Sequence, residues 1–96
     1  MILHTVNKAP TNTSLTTCLK VAGPDSAVLL IEDGVYAAVK DAANVPDTLF
    51  QHRVYALEAD VKARGLGAKL APQIELVDYA GFVALATQYD CIQSWY

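Results

Sequence analysis

Five consecutive aliphatic residues, Ala27-Val28-Leu29-Leu30-Ile31, stop abruptly at Glu32-Asp33-Gly34, and this break limits what the chain can fold into. The run is too short for a helix and shows no polar alternation. It reads as a strand, from about Ser26 to Ile31, buried on both faces. Helical period follows at once, with Val35, Ala38, Val39 and Ala42 falling at i, i+3, i+4 and i+7. Asp33 is placed to cap the first free amides of that helix, and Gly34 to ease the turn. A strand buried on both faces needs a layer on each side of its sheet, so the rest of the chain must supply parallel neighbours and more helices.

The same turn excludes a function. Nucleotide-binding α/β proteins place glycines after the strand, so that backbone amides and the helix dipole can hold phosphate. Here Glu32 and Asp33 occupy that position and would repel an anion, and neither G-x-G-x-x-G nor G-x-x-x-x-G-K-[ST] occurs.

The other elements fit around this core. Residues 1–6 read as a first strand, with a polar connection through Pro10 leading to a helix capped by Asn12 or Thr13. In that helix Leu15, Cys18, Leu19 and Ala22 share one face, and Gly23-Pro24-Asp25 stops it. Asn44-Val45-Pro46-Asp47 breaks the second helix, and Arg53-Val54-Tyr55-Ala56-Leu57 is a third strand ending in the acidic Glu58-Ala59-Asp60. A short helix over residues 61–64 stops at Gly65, as suits a left-handed residue. A fourth strand spans residues 73–78, a helix residues 79–89, and residues 91–96 add a fifth, edge strand. The expectation is one α/β domain over residues 1–96, a three-layer αβα arrangement around a mainly parallel sheet of four or five strands.

Charge and composition narrow the partners. A net charge of −3 offers no basic footprint for nucleic acid, and the cluster Lys62, Arg64, Lys69 reads as a solvated helix cap. Apolar residues make up 53% of the chain and charged ones only 18%, against about 25% usually. In so small a domain that surplus points to a face covered by other subunits, with Tyr36, Tyr89, Trp95 and Tyr96 as candidate contacts. The chain alone is expected to be unstable or to self-associate. No apolar run exceeds five residues and Met1 leads straight into a strand, so neither a membrane span nor a signal peptide is expected and the location is cytoplasmic. His4, with no Cys or His at ligand spacing, reads as a hydrogen-bonded structural residue; no metal or cofactor is expected. Cys18 and Cys91 read as thiols rather than a disulfide.

Several stretches in order carry a resemblance: Ile2-Leu3-His4-Thr5-Val6-Asn7-Lys8, Glu32-Asp33-Gly34-Val35-Tyr36-Ala37-Ala38, and Val54-Tyr55-Ala56-Leu57 followed by Asp60 and Lys62-Ala63-Arg64-Gly65. Val77-Asp78-Tyr79-Ala80-Gly81-Phe82-Val83 and the late Trp95 complete the set. Together they resemble the DsrH/TusB family across essentially the whole chain. The resemblance implies a DsrE-like fold and one of three related subunits of a cytoplasmic heterohexamer that passes sulfur as cysteine persulfide. Sister subunits of DsrE/TusD and DsrF/TusC type and a DsrC/TusE-like acceptor are the implied partners, with no direct contact to nucleic acid. In DsrEFH-type complexes the sulfur serves sulfur oxidation; in TusBCD-type complexes it goes to 2-thiouridine at the tRNA wobble position.

The resemblance puts the principal persulfide cysteine on a sister subunit. DsrH-type members carry a cysteine in the first helix, and Ser14-Leu15-Thr16-Thr17-Cys18-Leu19-Lys20 matches that position. Cys18 thus tips the reading toward a DsrH-like subunit in which it accepts or steadies sulfur, with a TusB-like subunit or a purely architectural one as alternatives. Local sequence pulls the other way. Cys18 lies beyond the first helical turn, where dipole help has faded, on the apolar stripe with Leu15 and Leu19.

Overall fold

The computed structural model describes residues 1–95. Five strands form one sheet in the order β4-β3-β2-β1-β5, with every neighbouring pair parallel. The strands are β1 (Ile2–Val6), β2 (Ala27–Leu30), β3 (Arg53–Leu57), β4 (Ile74–Val77) and β5 (Cys91–Trp95). The aliphatic run is β2, the middle strand, and all four of its residues are buried. Parallel pairing forces each connection to cross over the sheet, so segments between strands become its covering layers.

The two faces are covered unequally. On one, Val6, Val28, Leu30, Val54 and Ala56 pack under helix α1 (Ser14–Val21), helix α2 (Glu58–Ala63) and the 3-10 segments Glu32–Ala38 and Asp47–Gln51. On the other, Leu3, Ala27, Leu29 and Tyr55 meet a single helix, α3 (Tyr79–Gln88), through Leu85 and the half-buried Phe82. The N-terminus of α3 is capped by Asp78, whose side chain accepts from the Gly81 amide at 2.7 Å.

The segment after β2 departs from the sequence reading. It is a 3-10 helix over Glu32–Ala38, and Val39 is already extended. The stripe Val35, Ala38, Val39, Ala42 is therefore not an α-helical face. Tertiary hydrogen bonds override the local period: Ala71 donates to the Ala38 carbonyl and Lys40 to the Lys69 carbonyl, both at 2.8 Å, and Val39 bridges Leu70. Nor does Asp33 cap this segment, which begins after Ile31 with no side-chain cap. Gly34 is needed for space rather than for φ. A methyl group there would run into the Val6 carbonyl, whose carbon would lie only 2.9 Å away.

One smaller boundary also moves. Helix α2 starts at Glu58, so Glu58-Ala59-Asp60 is its first turn and not a strand end, a placement that suits carboxylates beside the positive helix terminus. At the start of helix α1, of the two candidates Asn12 and Thr13 it is Asn12 whose Oδ1 accepts from both the amide and the hydroxyl of Ser14, at 2.9 and 2.8 Å. Gly65 has φ +66, the left-handed stop expected after α2.

Candidate functional site

Three places could carry chemistry: the thiols, the carboxyl ends of the strands, and the surface left without cover.

Cys18 sits on the inner face of α1 with 0% exposure, in the core cluster with Leu15, Val6, Val28 and Leu30. Burial pushes its thiol up to about 11. At neutral pH the thiolate is then on the order of one part in ten thousand, and the thiolate is the form that attacks sulfur. The basic residue in the last turn, Lys20, is exposed and off this face. Surface clefts of about 260 and 400 Å³ are lined by Val39, Val45 and Phe50 and by His52, Arg53 and Tyr89, and a cleft of about 310 Å³ lies against α1 at Thr16, Leu19 and Lys20; Cys18 lines none of them. Cys91 is the opposite case, an exposed free thiol at the start of the edge strand beside Asp90. Among the described residues no group of three or more His, Cys, Asp or Glu side chains could hold a metal ion.

In open α/β sheets, ligands gather outside the carboxyl ends of the strands. Here that rim is filled by its own side chains. Asp60 Oδ2 accepts from the Glu32 amide at 2.8 Å, and Arg64 donates through Nε and Nη2 to Asp33 Oδ1 at 3.1 and 3.0 Å. Arg64 Nη1 also donates to the Asp60 carbonyl at 3.3 Å. Arg64 is thus a cross-link between α2 and the turn after β2, where the sequence suggested a solvated cap. Glu32 takes a left-handed φ of 49 at this point, held by the Asp60 contact. The rim locks a turn, and its carboxylates oppose any phosphate.

On the far side of β1, His4 is 1% exposed, and its Nδ1 accepts from the indole N–H of Trp95 at 3.0 Å. This agrees with His4 as a hydrogen-bonded structural residue. It also shows where the late Trp95 goes, which is against the body of its own chain.

The uncovered surface centres on α3 and β5. Helix α3 contains no charged residue, and Tyr79 and Val83 each expose 64% of their surface. Ile92 exposes 45% on the neighbouring edge strand. Helices apolar all round are normally enclosed, so this face is built to be covered. Of the four aromatic contacts suggested by sequence, Tyr36 is exposed, Tyr89 and Trp95 are half-buried against the core, and Tyr96 lies outside the described residues. Sequence alone did not single out Tyr79, Val83 or Ile92, because period marks apolar positions without saying which of them the covering layers leave exposed.

Comparison with known proteins follows the same lines. Residues 8–92 match the family model described as "DsrH like protein". Protein TusB of Enterobacter sp. strain 638 is 34% identical over 96 residues, covering 98% of this chain and all of the relative. Protein TusB of Escherichia coli K12 matches at the same identity and coverage, and that of Cronobacter sakazakii at 33% over 95 residues. Among solved structures, the YchN protein from E. coli superposes with a TM-score of 0.83 at 18% identity, covering 97% of each chain. Protein Tm0979 from Thermotoga maritima superposes with a TM-score of 0.68 at 23% identity, covering 94% of this chain and 95% of the other. These two similarities speak for the fold alone.

Proposed function

The chain belongs to the DsrH/TusB family, and from that premise we propose that it is a TusB-like architectural subunit of a cytoplasmic sulfur-relay complex serving tRNA wobble 2-thiouridine synthesis. Its partners are sister subunits of TusC/DsrF and TusD/DsrE type, with a TusE/DsrC-like acceptor downstream. The observation that carries this reading is the burial of Cys18: a thiol with no exposed surface and a pKa near 11 is poorly suited to accept sulfane sulfur. The relatives named TusB favour the tRNA branch over sulfur oxidation. The charge-free outer face of α3 supplies the surface through which such a subunit joins its partners.

The alternative, a DsrH-like subunit in which Cys18 accepts or steadies sulfur, rests on the match of that cysteine to the first-helix position. One experiment separates the two. The complex is assembled with Cys18→Ser or Cys18→Ala, given a sulfane sulfur donor, and each subunit is weighed by mass spectrometry while transfer to the acceptor is followed. Unchanged transfer and no added sulfur on the wild-type chain are expected. Sulfur on Cys18, or transfer lost in both variants with the complex intact, overturns the architectural reading. Loss of 2-thiouridine from tRNA digests of a strain lacking the gene, restored by Cys18→Ala, tests the branch.

A further inference from the structure

The hydrogen bond between His4 and Trp95 joins the first strand to the outermost one and fixes a protonation state. Because the indole N–H donates to Nδ1, that nitrogen carries no proton, and the neutral ring keeps its proton on Nε2. Nε2 is buried and finds no hydrogen-bond partner among the described residues. The ring therefore holds Trp95 through one lone pair, and the described residues offer it no second hydrogen bond to compensate if that lone pair is lost. A proton on Nδ1 would set two donors against each other in a site where the described residues offer the new charge no carboxylate.

Strand β5 has little else to hold it. Its residues are exposed except for the half-buried Trp95, and it has a strand neighbour only in β1. Beyond the ladder and a limited contact with helix α1, the strand is tied by Thr5 Oγ1 donating to Ser94 Oγ at 3.2 Å, by the Asp90 amide donating to the Met1 carbonyl at 3.0 Å and by the Met1 ammonium paired with Asp90 at 2.8 Å.

We propose that His4 is a proton-operated latch on the edge strand: the neutral ring clamps Trp95, and a proton taken up from solvent at Nδ1 during transient opening keeps Trp95 released and β5 detached from β1.

The surroundings of the ring set the direction. Burial, and then the neighbouring His52, lower its pKa from 6.5. His52 comes from the segment leading into β3 and has its own Nδ1 buried with no hydrogen-bond partner among the described residues. Helix α1 packs on β1 and β5, and among its buried residues, Ser14, Leu15 and Cys18, the one titratable group is the thiol of Cys18, which stays un-ionised. The strand partners of His4 are Val28 on β2 and Gln93 on β5, both uncharged. With the folded value depressed, the latch is closed above pH 6.5 and loses stability as pH falls below it, because the open form binds the proton more tightly. Asp90 does not confuse this window, since its hydrogen bond with the Met1 ammonium holds it below its ordinary 3.8 and it remains ionised there.

The test is hydrogen–deuterium exchange by mass spectrometry, between pH 7.5 and 5, on the full chain purified with its partner subunits and corrected for intrinsic exchange rates. The opening equilibrium for the amides of residues 91–95 should rise by about tenfold per pH unit below the ordinary histidine value, while β2 amides keep their protection. His4→Gln, which retains an acceptor for the indole but does not titrate, should abolish the pH dependence. Flat protection of β5 in the wild type, loss of β2 protection in parallel, or an unchanged profile in His4→Gln would each overturn the latch. The wild-type measurement decides the matter even if the variant fails to fold.

Discussion

Replacing Gly34 by alanine tests whether space, rather than backbone freedom, explains that glycine. The added carbon would press on the Val6 carbonyl, and that carbonyl is not free to move: it accepts the Ile31 amide at 3.0 Å where β1 meets the end of β2. Relief requires shifting the 3-10 segment off the sheet, at an overpacking cost of roughly 1–3 kcal/mol, or breaking that hydrogen bond at roughly 1 kcal/mol more. The expected loss is about 2–4 kcal/mol, a large share of the 5–15 kcal/mol typical of a domain. For a chain of this size it lowers Tm by roughly 10–30 °C. Urea and thermal unfolding followed by far-UV circular dichroism give both numbers. Gly23→Ala is the control, because nothing lies within 4 Å of its added carbon, and it should be neutral or slightly stabilising. A Gly34→Ala protein within about 0.5 kcal/mol of wild type would refute the reasoning, since it would show that the turn yields at no cost.

Two further outcomes follow from the geometry. N-ethylmaleimide at pH 8 should modify only Cys91 in the native chain and both cysteines in denaturant, as counted by intact mass; equal labelling rates would contradict the burial of Cys18. Arg64→Ala should cost only about 0.5–1 kcal/mol in urea unfolding, and less in high salt, because its partner Asp33 is largely exposed; a salt-independent loss of several kcal/mol would mean the cross-link is more deeply desolvated than its geometry indicates.

The parts of the fold legible in sequence are those where one local signal met no competitor. Ala27-Val28-Leu29-Leu30 could satisfy its aliphatic surface only in the middle of a sheet, and the apolar positions after Asp78 marked a helix, though not that Asp78, read as the end of a strand, caps it. The segment after β2 misled because its i, i+3, i+4 pattern was real but short. Hydrogen bonds from residues 69–71, distant in sequence, outweighed it. At the site, the apolar stripe correctly placed Cys18 inside, whereas the pairing of Arg64 with Asp33 depends on a turn and a helix meeting across the rim. Period and spacing carry no trace of that meeting. His4 and Trp95 stand at opposite ends of the chain, so the residue types were suggestive separately but their contact was visible only once β5 was placed beside β1.

The position of β5 also has a kinetic consequence. The other strand pairs, such as Leu3 with Ala27, Val28 with Val54 and Val54 with Ile74, close loops of roughly two dozen residues. The β1–β5 pair spans 89 residues, as in the contact of Thr5 with Ser94. If the outer pair closed first, its loop entropy would exceed that of an inner pair by about 1 kcal/mol, so the favoured route assembles β1 to β4 and adds β5 to a finished edge. That order leaves the last strand outside the folding nucleus. Substitutions in residues 91–95 should therefore speed unfolding while scarcely altering the refolding rate.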